Sequence, residues 1–95
     1  MMKERNKDKR LWKLKKERKK IDVIDQNLLN FLNQRQRIVL KIGKIKKEMG
    51  KGIYDPRREK EVLERLKRKN KGPLKEKDIE KIFSMIMKVC RKSEI

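Results

Sequence analysis

Apolar residues in this chain recur at steps of three and four. From Ile21 to Met49 the series Ile21, Ile24, Leu28, Leu32, Val39, Ile42, Ile45 and Met49 marks one face of a helix. No Gly or Pro intervenes before Gly43, and Gly50 and Gly52 supply a stop. The pattern predicts a helix established by about Lys15 and ending near Glu48, roughly 50 Å long and about twice the width of a compact globule of this length. Such a helix must find partners along its length.

Beyond a loop at Lys51 to Tyr54, Asp55-Pro56 is a helix start. An aspartate caps free amides, and proline at the first helical position loses nothing by lacking an N–H. The second helix is expected to run to about Asn70 with Val62, Leu63 and Leu66 inward, and Gly72-Pro73 breaks the chain again. A third is expected from about Lys75 to Glu94, burying Ile79, Ile82, Phe83, Ile86, Val89 and Cys90. No strand alternation and no internal repeat is present. The architecture read from the pattern is all-α, with a long, a short and a medium helix.

Arg35 interrupts the apolar stripe, three residues after Leu32 and four before Val39. A guanidinium does not lose its proton and is costly to bury unpaired, so it needs an anion opposite it, from a side chain or a ligand. Lys46 lies eleven residues further, about 20° around the helix and roughly 16 Å along it. Glu59 shares a face with Val62, Leu63 and Leu66. Glu94 continues Ile86 and Cys90, and Arg18 precedes Ile21 by three. Each could be a chance charge on an inner face, but together they suggest a polar pocket inside a helical bundle. Arg18 and Arg35 stand roughly 25 Å apart along one helix, too far to share a small ligand. If both serve one site, Arg18 must come from a second chain packed antiparallel to the first.

Composition sharpens this reading. Ninety-five residues make one domain at most, and with 35% apolar and 48% charged residues a monomer's core would be thin. A core shared in a homo-oligomer is the first inference. Residues 1–20 hold eleven Lys or Arg against three acids, a net +8. We divide the chain into a basic, frayed extension over 1–14 and a helical domain over 15–95. The lone Cys90 rules out an intramolecular disulfide and a cysteine-based zinc site, and there is no His or Thr. Without His, a Ser or Cys nucleophile would lack its usual base, which disfavours hydrolase and acyl-transfer chemistry. Neither a membrane span nor a secretory signal is present, so a cytoplasmic protein is expected.

The string Arg18-Lys19-Lys20-Ile21-Asp22-Val23-Ile24-Asp25, then Leu28-Leu29, Asn33-Gln34-Arg35, Gly43-Lys44-Ile45-Lys46 and Asp55-Pro56-Arg57-Arg58-Glu59 resembles the all-α chorismate mutases. The stretch Lys69-Asn70-Lys71-Gly72-Pro73-Leu74, with Ile82-Phe83 and Val89-Cys90-Arg91-Lys92-Ser93-Glu94, resembles mutase domains fused to prephenate dehydratase or to the first enzyme of the shikimate pathway, DAHP synthase. The resemblance implies an intertwined, antiparallel homodimeric bundle. It implies a Claisen rearrangement of chorismate to prephenate, in phenylalanine and tyrosine biosynthesis, with no metal or cofactor. By the same comparison Arg35 and the partner's Arg18 hold the two carboxylates, Lys46 meets the ether oxygen and a carboxylate, and Glu59 meets the ring hydroxyl. Arg58 and the backbone around Asp55 line the pocket. Cys90 stands where a relative can have Ser, weakening any hydroxyl contact. Glu94 stands where many relatives have Gln, and must be protonated to donate to the ether oxygen. Only Ile95 follows Glu94, so no partner domain is expected after it.

Three other readings compete. A charge of +18 suits a nucleic-acid-binding helical module working through counterion release. Against it stand the four aromatic residues, the missing helix-turn-helix spacing and the inward placing of Arg35, Lys46, Glu59 and Glu94. Pyruvate elimination from isochorismate is a sister activity that the same cations would serve. A binding-only domain would bind without turnover.

Overall fold

The computed structural model describes the backbone over residues 2–93 and the side chains over 8–92. Three helices follow in order, α1 (Met2–Glu48), α2 (Pro56–Lys69) and α3 (Glu76–Ser93), with no strand among the described residues. The chain divides into two units, Met1–Arg35 and Gln36–Ile95.

In the first unit α1 is already helical at Met2, so the expected start near Lys15 is corrected. The physical reason is in the sequence: residues 2–14 contain no Gly, Pro or β-branched residue, and most are strong helix formers. Local pairs follow along the helix, with Lys16 Nζ 5.1 Å from the centre of the Trp12 ring and Lys20 Nζ 3.1 Å from Glu17 Oε1. The apolar side chains Leu11, Leu14, Ile21, Ile24, Leu28 and Phe31 all stand exposed.

In the second unit α1 continues through Gly43 and ends in a Schellman motif. Gly50 takes φ +69°, Lys51 N–H donates to Lys46 O at 2.8 Å, and Gly50 N–H donates to Lys47 O at 3.1 Å. Along this part of α1 Gln36, Val39, Gly43 and Lys46 are half-buried, while Ile42 and Ile45, which the sequence places inward, are exposed. They stand to one side of that half-buried row.

Asp55 caps α2 as expected: its Oδ1 accepts from Arg58 N–H at 3.1 Å, and Pro56 occupies the first turn. Asn70 organises the next turn, donating through Nδ2 to Leu74 O at 2.7 Å and accepting from Gly72 N–H at 3.1 Å. At the start of α3 the Asp78 carboxylate reaches back to Lys75 N–H at 3.2 Å, half of a capping box.

Helices α2 and α3 pack together. Ile79, Met87 and Cys90 form the buried set, with Val62, Leu63, Leu66, Phe83 and Ile86 half-buried. Two expected core residues are corrected: Ile82 is 45% and Val89 54% exposed, and Met87 takes their place. On a helix Phe83, Met87 and Cys90 turn to one side of Ile79, whereas Ile82 and Val89 lie about 60 to 80° to the other. Across the pair Lys67 bonds the Glu80 carboxylate. That hydrogen bond raises the Lys67 pKa, with Coulombic help from Glu80, Glu76 and Glu64 and partial opposition from desolvation.

Candidate active site

Lys46 comes from the last turn of α1, where its own carbonyl is already held by the Schellman turn. Its side chain follows the same reversal, and Nζ donates to Ile53 O at 3.0 Å. The ammonium belongs to a half-buried residue and is held by a neutral carbonyl. Such a cation can exchange its acceptor for a stronger one, an anionic ligand.

The next residue in the loop, Tyr54, lies under the Arg91 guanidinium, whose central carbon is 4.2 Å from the ring centre. Arg91 Nε in turn lies 3.0 Å from Glu59 Oε2. This contact is an ion pair outside the angle of a directional hydrogen bond. Both side chains are only partly exposed, at 31% and 22%. Glu59 thus stands on the first turn of α2, fixed from α3. A cavity of about 330 Å³ opens beside this cluster, lined by Ile53, Tyr54, Lys88, Arg91 and Lys92.

Other expected residues fall around the same loop. Asp55 spends one carboxylate oxygen on the α2 cap, so its neighbouring backbone is fixed. Arg58 is exposed, with Nη1 3.8 Å from Glu61 Oε2, an interaction worth little in water. Cys90 is a free, buried thiol of the α2 and α3 core. Glu94 lies outside the described residues.

In the first unit Arg35 is half-buried, and its Nη1 is buried with no hydrogen-bond partner. An unpaired guanidinium nitrogen removed from water is a standing demand for an acceptor. Arg18, on the same helix, is exposed.

The structure groups Lys46, Asp55, Arg58 and Glu59 around one loop, and adds two groups that sequence reasoning passed over, Tyr54 and Arg91. The signal for Arg91 was available: it follows buried Cys90 directly, and a long cation beside a core position can reach a half-buried carboxylate. Among the described residues no cluster of three His, Cys, Asp or Glu could hold a metal ion. Nor is any described helix long and apolar enough to cross a membrane.

Comparison with known proteins gives these groups a setting. A family model described as chorismate mutase type II matches residues 17–95. A bifunctional chorismate mutase/prephenate dehydratase of Aquifex aeolicus is 36% identical over 81 residues, covering 81% of this chain but 22% of that protein. The chain thus spans about a fifth of the length of the curated relatives it first matches. Among solved structures, chorismate mutase form II of Thermus thermophilus superposes with TM-score 0.85 and 35% identity, over 86% of this chain and 93% of that one. A Helicobacter pylori chorismate mutase in complex with prephenate superposes with TM-score 0.80 and 34% identity, over 85% and 88%. The family match takes in all three helices from residue 17 onward, the superpositions cover most of both chains, and the chain belongs to the chorismate mutase type II family.

Proposed function

We propose that this chain is a cytoplasmic chorismate mutase, rearranging chorismate to prephenate as an antiparallel homodimer. The observation that carries the reading is Arg35, whose buried Nη1 has no hydrogen-bond partner among the described residues of the chain. A dianionic ligand supplies the missing acceptor, and the planar fork of arginine matches a carboxylate.

The reaction breaks one C–O bond of the enolpyruvyl ether as a C–C bond forms to the ring, with no proton lost and no covalent intermediate. The protein has two tasks: to hold the side chain folded over the ring, and to stabilise charge growing on the ether oxygen. Arg35 and Arg18 of the partner subunit hold the carboxylates. Lys46 leaves Ile53 O and donates to the ether oxygen and a carboxylate, so one hydrogen bond is exchanged for stronger ones. Glu59 accepts from the ring hydroxyl, while Arg58 and the Asp55 backbone close the pocket beside Cys90. Glu94, protonated, adds a second donor at the ether oxygen.

The dimer is supported by the row of exposed apolar residues on α1, from Leu11 and Leu14 to Ile21, Ile24 and Leu28, which water alone should not cover. If Arg18 and Arg35 serve one small ligand, the roughly 25 Å between them along a helix requires two chains.

The test is to incubate the protein with chorismate and, separately, isochorismate, measuring prephenate and pyruvate. Prephenate from chorismate, lost in Arg35→Ala, is the expected result. Pyruvate from isochorismate alone, or no turnover of either, overturns the proposal.

A further inference from the structure

We propose that Arg91 is a positioning residue: through its ion pair it fixes the Glu59 carboxylate that meets the substrate hydroxyl, and Tyr54 is the shelf that holds Arg91 in place. The proposal rests on the mutase reading above and adds to it two residues outside that substrate-binding set.

Three contacts carry it. Arg91 Nε stands 3.0 Å from Glu59 Oε2, and no other partner engages this carboxylate among the described residues, so Oε1 is left to accept. The Arg91 guanidinium lies over the Tyr54 ring at 4.2 Å, which restricts it to the plane of the shelf and keeps its charge beside Glu59. Tyr54 is adjacent to Ile53, whose carbonyl holds Lys46 Nζ at 3.0 Å. One dipeptide therefore tethers both the cation and the carboxylate of the proposed site, the first through its backbone and the second through a side chain.

The chemistry favours positioning over direct contact. Glu59 has several rotamers on the first turn of α2, and a hydroxyl acceptor must be within a few tenths of an ångström of its place to help orient a substrate. A cation that takes one oxygen from the far side selects the rotamer and leaves the other oxygen directed to the ligand. Lysine cannot replace it fully, because an ammonium has neither the fork nor the flat face.

The experiment is a double-mutant cycle on chorismate turnover with Arg91→Ala, Glu59→Gln and the double variant, with Arg91→Lys, Tyr54→Phe and Tyr54→Leu beside it. Melting temperature and helical content are recorded for each. Arg91→Ala is expected to lower kcat/KM about tenfold in the parent but less than about twofold in the Glu59→Gln background, since its effect passes through the carboxylate. Arg91→Lys recovers part of the loss, Tyr54→Phe retains more of kcat/KM than Tyr54→Leu because it keeps the aromatic face, and Tyr54→Leu loses activity as Arg91→Ala does. Equal losses in both backgrounds, or an unaltered kcat/KM in both Arg91→Ala and Tyr54→Leu, overturn the positioning role while a turning-over parent leaves the mutase reading intact. Should Arg91→Ala fail to fold, Tyr54→Leu combined with Glu59→Gln gives the same cycle. A parent that does not turn over chorismate sinks both.

Discussion

Lys46 Nζ donates to the backbone oxygen of Ile53 across seven residues, closing the loop that α1 opens at Gly50. The bond joins a cation assigned to the ether oxygen to the loop that also carries Tyr54 and Asp55. On the proposed mechanism, substrate binding would change the acceptor of this one ammonium group.

Lys46→Ala should lower kcat/KM by about 10² to 10³-fold, the usual scale for losing one donor aimed at developing charge. Stability should fall by only about 1 kcal/mol, the worth of one partly buried hydrogen bond. Steady-state kinetics and thermal melts on the same preparations separate the two effects, and a comparable collapse of both would mean that the loop, not the charge, is what Lys46 supplies.

Arg18→Ala and Arg35→Ala proteins should each be nearly inactive. Mixed after unfolding and refolding together, they should recover about a quarter of the parent's activity, because half the dimers are mixed and each mixed dimer has one intact site of two. Recovery that stays at the level of the separate variants would place both arginines in sites built from a single chain.

Turnover should decline as pH rises past the point where Glu94 loses its proton, since an ionised carboxylate cannot donate. Glu94→Gln donates at every pH and should flatten that limb. Profiles of kcat/KM against pH that coincide in the two proteins would remove Glu94 from the ether oxygen.

Lys67 has its pKa raised above the ordinary 10.5 by the Glu80 hydrogen bond. A cation stabilised in this way supports the folded state fully below its unfolded pKa and loses that support as pH climbs through the folded value. The parent should therefore melt above Glu80→Gln at neutral pH, with the gap closing beyond about pH 10.5. A gap that is constant from neutral to alkaline pH would show that the pair contributes through packing alone.

The sequence disclosed the helices because their boundary signals are local. Asp55-Pro56 can be read as a cap without knowing what it packs on, and so can Gly50 as a stop. The start of α1 is less legible for the converse reason: a high density of like charges points to a late start, whereas residues 2–14 hold no Gly, Pro or β-branched residue to oppose a helix. Ile82 and Val89 show the limit of periodicity on α3, where a wide apolar arc exceeds what α2 can cover and spacing does not say which edge is left over. Lys46 and Glu59 were visible as charges on inner faces. Their partners were not, because Ile53 O belongs to the backbone and the Tyr54 to Arg91 contact joins positions far apart in the chain. Arg91 reads as surface until the fold lays it on a ring.

Gly50 has nothing within 4 Å of where a Cβ would stand, yet its φ of +69° belongs to the left-handed region. A methyl group there would meet open space and still cost about 1 to 2 kcal/mol in torsion alone. That penalty would bear on the reversal delivering Ile53 and Tyr54 to their posts. A change that crowds no neighbour can therefore blunt catalysis from outside the pocket, by letting the chain leave its helix at the wrong angle.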